Sequence, residues 1–321
     1  MKRIDDWLQD VRTVAVAGHV DPDGDCIGAC MGLYLYLRDV RPDLRVTVYL
    51  ESYRDVFSYI EDIEKAKSSC GPEDTADLLI LADVGGKDRV GAAGPLLERT
   101  EKVLCIDHHV TNRDSYTWLI NEPQASSACE VICGLLDPDR ISPACAAALF
   151  TGISNDTGIF RYPSTSPETM RTAAFLMEKG IPFSEIIDVS FYQKTYGQNR
   201  ILGKILKESR LVLNGRLVIG TAFYEDMQTY QVEPKDMDGI VAELRNTIGA
   251  EAAVFIYEKE PDVCKVSLRS RRYADVSRVA QAFGGGGHVR ASGCTIQASP
   301  EETEAMLTEA FRPILEPDGA E

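Results

Sequence analysis

The chain has 321 residues, of which 44% are hydrophobic and 26% are charged, and its formal net charge at pH 7 is −16. This length exceeds what one ordinary hydrophobic core fills, so it predicts a globular protein of two domains. No apolar run approaches the roughly 18 residues of a membrane span, and residues 1–10 lack the apolar segment of a secretory signal. We therefore expect a cytoplasmic protein with no membrane partner. The acidic charge argues against a long duplex nucleic acid as a partner.

The nine cysteines are scattered along the chain, and no CxxC motif occurs. Cys26 and Cys30 stand four residues apart, as do Cys129 and Cys133, a spacing that would place each pair on one face of a helix. An odd count without a secretory signal favours reduced, buried thiols over a disulfide framework or a zinc site.

The first half of the chain alternates short runs rich in Val, Ile and Leu with helical patterns. Such runs are typical of buried strands in a parallel sheet, and helices between them indicate βαβ units. The predicted strands are residues 14–17, 46–50, 78–82 and 103–106, and the predicted helices are 28–38, 56–66, 95–99, 126–136, 143–153 and 167–179. The pattern predicts an α/β fold whose first domain, residues 1–188, is a doubly wound, mainly parallel sheet.

The second half begins with a polar–apolar stretch over residues 183–209, which predicts one or two helices. We assign residues 189–210 to a helical connector and residues 211–321 to a second, smaller α/β domain. That domain opens with a predicted hairpin, in which Asn214-Gly215 suits a type I′ turn. Its further predicted strands are 253–257, 263–269 and 293–297, and its predicted helices are 236–248, 276–282 and 300–311.

Acidic and imidazole side chains follow three of the predicted strands. His19 comes after the first strand, Asp83 ends the third, and residues 107–109 (Asp-His-His) end the fourth. Because the carboxyl ends of parallel strands lie on one edge of a sheet, these side chains should meet in one crevice. The other members of the expected site are Asp23 and Asp25, shortly after His19, and Asp156, after a predicted helix.

Each of these acids, taken singly, has an ordinary explanation as a turn or cap residue. Together they would gather several negative charges at one sheet edge with nothing to neutralise them. Carboxylates and imidazoles without thiolates suit a hard or borderline divalent ion, so we expect two ions, Mn²⁺ foremost, with Mg²⁺ or Co²⁺ as alternatives. Two ions about 3.5–4 Å apart would activate a water for attack on a phosphate ester.

A second candidate site lies in the glycine-rich run at residues 283–293. Glycines allow close approach to an anion, and successive N–H groups can form an anion nest, so the run predicts phosphate binding rather than a flexible linker. A nearby arginine could add a guanidinium, although Arg271 and Arg272 are equally well explained as a solvated charge cluster. The candidate phosphate-binding residues are Arg269, Ser270, Gly286, Gly287 and His288.

These motifs resemble those of the DHH family of phosphoesterases, of the type in which a DHH domain precedes a DHHA1 domain. HVDPDGDCIGA is similar to the first motif, His-x-x-Pro-Asp-x-Asp-x-x-Gly-Ser, with Ala29 in place of the serine. Asp83, the DHH at 107–109 and Asp156 in SNDTG match the second, third and fourth motifs, and GGGGHVRASG resembles the DHHA1 signature. Ala29 removes a hydroxyl but no expected ligand, so we expect little effect.

The resemblance implies a division of these residues between two ions and the substrate. Its metal ligands would be His19 and Asp23 at one ion, Asp25, His108 and Asp156 at the other, and Asp83 bridging both. Asp107 would orient an imidazole, and His109 would face the substrate, stabilising phosphate charge or protonating the leaving oxygen. Arg269 and residues 286–288 would bind a substrate phosphate from the second domain.

The chain length and domain pair resemble, within the family, stand-alone oligoribonucleases that also act on 3′-phosphoadenosine 5′-phosphate (pAp). The resemblance implies that a metal-bridging hydroxide hydrolyses short oligoribonucleotides and dinucleotides to mononucleotides and removes the 3′-phosphate of pAp. Alternatives are a phosphodiesterase for cyclic or linear di-AMP, a dinucleotide sensor without turnover, and a pyrophosphatase, although that class lacks the glycine–histidine signature. Relatives are often dimers, so a homodimer is open.

Overall fold

The computed structural model describes residues 3–237 and 239–316. It divides into two units, one up to Gln193 and the other from Lys194 onward. Parts of our predicted ranges, namely residues 1–2, 238 (within the predicted helix 236–248) and 317–321, lie outside the described residues. Among the described residues, no helix combines the length and the apolar composition needed to span a bilayer.

The first unit contains a five-stranded, all-parallel sheet in the order β2-β1-β3-β4-β5. Its strands are β1 (Thr13–Ala17), β2 (Arg45–Tyr49), β3 (Leu78–Ala82), β4 (Val103–Asp107) and β5 (Trp118–Asn121). Every residue of β3 and β4 is buried, which explains why their sequences, apart from Asp107 at the end of β4, are continuously apolar rather than alternating. The α/β prediction and the first four strands are therefore confirmed. The fifth strand was missed because it has only four residues and none of them is fully buried.

The described part of this unit contains six α-helices, of which the first and the fourth pack most extensively against each other. They are α1 (Gly24–Val40), α2 (Gly94–Arg99), α3 (Ala128–Leu135), α4 (Pro143–Asp156), α5 (Pro167–Glu178) and α6 (Phe183–Ile187). At the α1–α4 contact, a Cβ on Gly28 would lie 2.5 Å from the carbonyl oxygen of Ala148. The glycine therefore lets the two backbones approach closely. This packing fixes the N-terminus of α1, which carries Asp23 and Asp25.

One helix prediction in this unit, residues 56–66, is wrong. The segment instead forms two short 3-10 turns, Asp55–Phe57 and Ile63–Lys65. Asp62 separates the second turn from the preceding chain with a φ of +62°, which a helix interior does not tolerate. The carboxylate of Asp62 forms ion pairs with Arg38 at 2.9 Å and with Lys65 at 2.7 Å. Asp62 thus forms an ion pair with Arg38, which is 24 residues away in the sequence, at the point where local periodicity predicted a helix but the chain turns.

The second unit contains a six-stranded mixed sheet in the order β10-β11-β9-β8-β7-β6, in which only β7 and β8 are parallel. Its strands are β6 (Arg210–Val212), β7 (Leu217–Ala222), β8 (Ala252–Glu260), β9 (Val263–Ser270), β10 (Gly286–His288) and β11 (Ala291–Gln297). Asn214 and Gly215 both have positive φ at the β6–β7 turn, as a type I′ turn requires. The predicted hairpin is confirmed.

The helices of this unit are α7 (Tyr196–Glu208), α8 (Tyr224–Tyr230), α9 (Ile240–Arg245), α10 (Val276–Ala282) and α11 (Pro300–Leu315). The prediction did not include α8, and α9 is shorter than the predicted 236–248 because a 3-10 turn, Pro234–Met237, precedes it. Ile201 and Ile205 of α7 are fully buried in the same cluster as Val218 and Leu244. The segment assigned to a connector therefore contributes to the second unit's core.

Candidate active site

The expected site residues of the first unit meet at the carboxyl edge of its sheet. His19 follows β1, Asp83 follows β3, and His108 follows β4. Asp83 has a φ of +58°, a left-handed conformation that a non-glycine residue rarely adopts outside turns and functional sites. Asp156 is the last residue of α4, rather than part of a turn beyond it. Because α4 continues through residue 156, the end of this helix places the Asp156 carboxylate at the carboxyl edge of the sheet.

Asp83 stands at the centre of the cluster. Its Oδ2 lies 3.5 Å from Nε2 of His19, and its Oδ1 lies 3.6 Å from Nε2 of His108 and from Nδ1 of His109. Asp83 is only 2% exposed, yet its Oδ1 has no hydrogen-bond partner among the residues that the structure describes. A buried carboxylate oxygen left unpaired is costly, so this atom points to a cation as its partner.

Asp25 and Asp156 approach His108 from two different elements. Nε2 of His108 lies 3.8 Å from Oδ2 of Asp25 and 3.6 Å from Oδ2 of Asp156. Asp25 is buried and accepts backbone N–H groups from Ala128 at 2.7 Å and Cys129 at 3.1 Å. These donors belong to the first turn of α3, where unsatisfied N–H groups and the helix dipole stabilise a negative charge.

Asp23 has a double position, as a helix cap and as a neighbour of His19. Its Oδ1 accepts the N–H groups of Asp25 at 3.0 Å and Cys26 at 3.1 Å, and so caps α1. The same oxygen lies 3.8 Å from Nε2 of His19, while 63% of the side chain is exposed. Asp23 thus borders the cluster from its solvent side.

Asp107 does not share the central position of Asp83. Its carboxylate is completely buried, and Oδ1 lies 2.7 Å from Nδ1 of His109. Its Oδ2 accepts a hydrogen bond of 2.7 Å from Nδ2 of Asn112. The His109 side chain remains 44% exposed. Asp107 therefore contacts an imidazole and an amide.

The concentration of charge shifts the pKa values of the cluster. Burial, reinforced by the charges of Asp83 and Asp156, raises the pKa of Asp25 well above its usual range. Burial likewise raises the pKa of Asp156 to about 6, although His108 opposes this shift. Burial alone would lower the pKa of His108, but Asp83 and Asp25 raise it to about 10. Without metal, protons therefore offset part of the negative charge.

The pKa of the central carboxylate moves the other way. Burial alone would raise the pKa of Asp83, but the neighbouring imidazoles of His108 and His19 hold it well below the usual range. The pKa of His19 is raised because Asp23 and Asp83 outweigh the effect of burial. Asp83 is therefore ionised and the imidazoles near it carry the compensating positive charge, the task that a bound cation would take over.

The donor set fits divalent ions. Three groups of side chains each offer ligand atoms within 4.8 Å of one another. These groups are His19, Cys26 and Asp83; Asp83, His108 and His109; and Asp25, His108 and Asp156. Atoms bonded to one ion at about 2.0–2.2 Å stand roughly 3–4 Å apart, so the separations around Asp83 are compatible with shared ions. Each group contains at least one carboxylate, the ligand that hard divalent ions such as Mn²⁺ and Mg²⁺ prefer, together with at least one imidazole.

Two residues of this neighbourhood were missed from sequence. Cys26 was treated as a buried thiol, which it is, but its Sγ also accepts the N–H of His19 at 3.3 Å. Asn112 is 4% exposed and contacts Asp107. In the sequence, only the position of Cys26 next to Asp25 could have indicated that it belongs to the site. An asparagine five residues after Asp107 carries almost no such indication.

In the second unit, the glycine-rich run is ordered as a strand rather than a flexible linker. Residues Gly286–His288 form β10 and pair with Ala291–Gly293 of β11, and all three are exposed. Gly287 has a φ of +133°, and a Cβ there would lie 2.6 Å from the carbonyl oxygen of Ala291. Close backbone packing therefore accounts for Gly287 without a ligand, and His288 remains accessible.

Arg269 and Ser270 end β9, next to β11. Nη1 of Arg269 donates to the carbonyl oxygen of Leu268 at 3.0 Å. Ser270 is buried, and its hydroxyl donates to the carbonyl oxygen of Ala274 at 2.6 Å. The hydroxyl of Ser270 thus holds the turn after β9, while Arg269 is half-buried beside it.

Comparison with protein families identifies both units. The model of the DHH family N-terminal domain matches residues 13–153, and that of the DHHA1 domain matches residues 219–315. The chain belongs to the DHH family. It is a hydrolase that acts on phosphate ester bonds. The DHH domain precedes the DHHA1 domain, as in the family type that the motifs resemble.

Individual relatives cover nearly the whole DHH-family chain. It is 29% identical to the bifunctional oligoribonuclease and PAP phosphatase NrnA of Thermus thermophilus, over 94% of this chain and 88% of that protein. The protein of the same name from Bacillus subtilis is 25% identical, over 92% of this chain and 93% of that protein. An exopolyphosphatase-related protein from Bacteroides fragilis has the same fold, with a TM-score of 0.88, 24% identity and coverage of 97% and 96%.

Proposed function

We propose that this protein is a divalent-metal-dependent phosphoesterase that hydrolyses short oligoribonucleotides and dinucleotides to mononucleotides. It also removes the 3′-phosphate of pAp. The observation that carries the proposal is the buried Asp83, whose unpartnered oxygen lies between two imidazoles at 3.6 Å. The names of the relatives in Thermus thermophilus and Bacillus subtilis support the choice of substrates.

Two divalent ions, Mn²⁺ foremost, are the proposed cofactors. Their proposed ligands are His19 and Asp23 at one ion, Asp25, His108 and Asp156 at the other, and Asp83 at both. Bound there, the ions supply a water of lowered pKa and offset the negative charge of the phosphate oxygens. The N–H groups of Ala128 and Cys129 hold Asp25 in place, so that the carboxylate does not have to be reoriented on binding.

His109 is the proposed group that acts on the substrate. Hydrogen bonding to Asp107 raises the pKa of His109, and burial opposes this only in part. Its Nδ1 is engaged by Asp107, which leaves the other ring nitrogen to donate to a phosphate oxygen or to the leaving oxygen. Asp107 stays ionised, because hydrogen bonds from His109 and Asn112 lower its pKa in spite of burial.

The second unit is proposed to select the substrate through its phosphate. The proposed contacts are Arg269, Ser270, Gly286, Gly287 and His288. The exposure of Gly286–His288 at the sheet edge supports this role, since backbone N–H groups and an imidazole are accessible there. The hydroxyl of Ser270 already donates to the carbonyl oxygen of Ala274, whereas the imidazole of His288 is exposed.

The net charge of −16 informs the choice of substrate, and the nine free cysteines inform the proposed cellular location. An acidic surface disfavours long duplexes and is compatible with short, phosphate-ended substrates. Reduced thiols suit the cytoplasm, where we place the activity. We propose no membrane partner, and a homodimer stays open.

The experiment that tests the function is a substrate panel at fixed Mn²⁺ concentration. pApA, RNAs of two to ten nucleotides, pAp, cyclic di-AMP and pyrophosphate are compared by chromatography of the products. We expect AMP from pApA and from pAp, and no release after treatment with EDTA. Asp83→Asn should abolish release, whereas Asp88→Asn, at an exposed position of the neighbouring turn, should not.

Three outcomes would contradict the proposal. Full activity of EDTA-treated protein without added metal would remove the metal from the reaction. Phosphate release from pyrophosphate alone would assign the protein a different substrate class. Tight binding of a dinucleotide with no product over hours would favour a sensor.

A further inference from the structure

A buried amide lies behind the proposed substrate-facing histidine. Asn112 is 4% exposed, and its Nδ2 donates both to Oδ2 of Asp107 at 2.7 Å and to the carbonyl oxygen of Val84 at 2.9 Å. Its Oδ1 accepts the N–H of Asp114 at 3.4 Å. Because both acceptors face the NH₂ group and a donor faces the oxygen, only one orientation of the amide satisfies all three contacts.

The same contacts fix the carboxylate of Asp107. With Oδ2 held by Asn112, Oδ1 remains for Nδ1 of His109, at 2.7 Å. An ionised carboxylate has only acceptors, so the proton of this bond sits on Nδ1. The other ring nitrogen, Nε2, is then the one that can exchange a proton or hydrogen bond with a ligand. The ring also lies close to Gly85, where a Cβ would be 3.2 Å from Cγ of His109.

We propose that Asn112 is a positioning residue for catalysis, which acts through Asp107 to fix the ring orientation and the Nδ1–H tautomer of His109. The inference rests on the proposed function only for the role of His109 toward substrate. The ring orientation and tautomer are properties of the substrate-free protein, so they can be tested independently of which phosphate ester is hydrolysed.

A neighbouring asparagine provides a matched control. Nδ2 of Asn121 donates to the carbonyl oxygens of His109 at 2.9 Å and of Asn112 at 3.3 Å. Asn121 therefore holds the same loop by its main chain. It lies beside Asp107 in the β4–β5 ladder, but its two described side-chain hydrogen bonds go to other residues and not to the Asp107 carboxylate. If loop placement were the whole role of Asn112, Asn112→Ala and Asn121→Ala would behave alike.

The experiment uses the full-length protein, loaded with Mg²⁺ and labelled with ¹⁵N only at histidine. The chain has four histidines, so His109→Gln identifies the ring signals of His109. We expect Asn112→Ala to shift these signals from the Nδ1–H tautomer toward exchange between tautomers. Asn121→Ala should leave them unchanged. An unchanged tautomer in Asn112→Ala, with the protein folded, would overturn the inference.

Kinetics on pApA then connect the tautomer to the reaction. We expect kcat to fall about 10- to 100-fold in Asn112→Ala while KM changes less than about threefold, as for the loss of an orienting partner. In a double-mutant cycle, Asn112→Ala should add little to Asp107→Asn, because both act on the same imidazole. Fully additive losses would overturn the inference.

Two further controls separate folding and substrate effects. Should Asn112→Ala not fold, Asn112→Ser keeps a polar group of smaller size, and the same tautomer shift is expected. If pApA is not a substrate, the NMR result still stands or falls alone, so failure of the proposed function is distinguishable from failure of the positioning role.

Discussion

Nε2 of His108 lies 3.6 Å from Oδ1 of Asp83, which is beyond hydrogen-bond distance for two groups that are both largely buried. A direct imidazole–carboxylate bond would close this gap to about 2.7–2.9 Å. The remaining space is what two ligands of one ion leave between them. The predictions below start from this relationship.

Asp83→Asn keeps the shape of the side chain and removes its charge. We expect activity on pApA to fall at least about 100-fold, because the proposed shared ligand of both ions is lost. Wild-type protein should gain about 2.7 kcal/mol of unfolding free energy at a Mn²⁺ concentration 100 times the Kd, and the variant much less. Thermal unfolding with and without Mn²⁺ measures both. Equal stabilisation of the variant and of wild type would contradict the role of Asp83.

Metal binding should release protons at neutral pH. In the metal-free protein the pKa of His108 is about 10, so its imidazole is protonated at pH 7. Only the neutral imidazole binds a cation. Below pH 10, the metal affinity should therefore rise about tenfold per pH unit for each proton that binding releases. We therefore expect a lower Kd for Mn²⁺ at pH 8 than at pH 7.

Calorimetric titration in two buffers of different protonation enthalpy measures this release. The number of protons should be smaller in His108→Gln, which has no ionisable ring at that position. A Kd that does not change between pH 7 and pH 8 would mean that the imidazole is neutral before the ion binds.

Gly152→Ala should damage the site from within α4. A Cβ there would lie 2.6 Å from Oδ1 of Asp25 and 2.2 Å from Sγ of Cys129, and both side chains are buried. Because neither side chain has room to move, we expect the variant to lose about 1–3 kcal/mol of stability and most of its metal affinity.

Gly134→Ala is the matched control, since no heavy atom lies within 4 Å of a Cβ at this exposed helical position. It should be neutral or raise stability by up to about 1 kcal/mol, as alanine favours a helix over glycine. Urea denaturation and Mn²⁺ titration of both variants test the pair. Similar metal affinities in the two would show that Asp25 tolerates the shift.

His288→Ala tests the second unit. If His288 binds a substrate phosphate, KM for pAp should rise about tenfold with little change in kcat, because the lost contact is equal in ground and transition states. The adjacent Val289→Ala, also at an exposed side chain, should leave both constants unchanged. Steady-state kinetics on pAp measure both variants. An unaltered KM in His288→Ala would show that this residue does not bind the substrate phosphate.

Much of the local structure followed from patterns that act over a few residues. The apolar run at residues 78–82 is a buried strand with the predicted bounds, because it is apolar on both faces of a covered sheet. The helix predicted from residue 167 does begin there, because Ser166 accepts the N–H groups of Glu168 and Thr169 and Pro167 occupies the first helical position. The failure at residues 56–66 came where the ion pair of Asp62 with Arg38 competes with helical periodicity.

The sequence by itself determined that acids and imidazoles gather at one sheet edge, because strand ends in a parallel sheet share that edge whatever the loops do. Only the tertiary structure decided how each carboxylate is held. Asp25 is stabilised by N–H groups of α3 that stand 103 and 104 residues further along the chain. Asp107 is oriented by Asn112, across a turn with no motif of its own. Such partners are backbone groups and common side chains, and they gain a role only when folding brings them within hydrogen-bond distance of a buried charge.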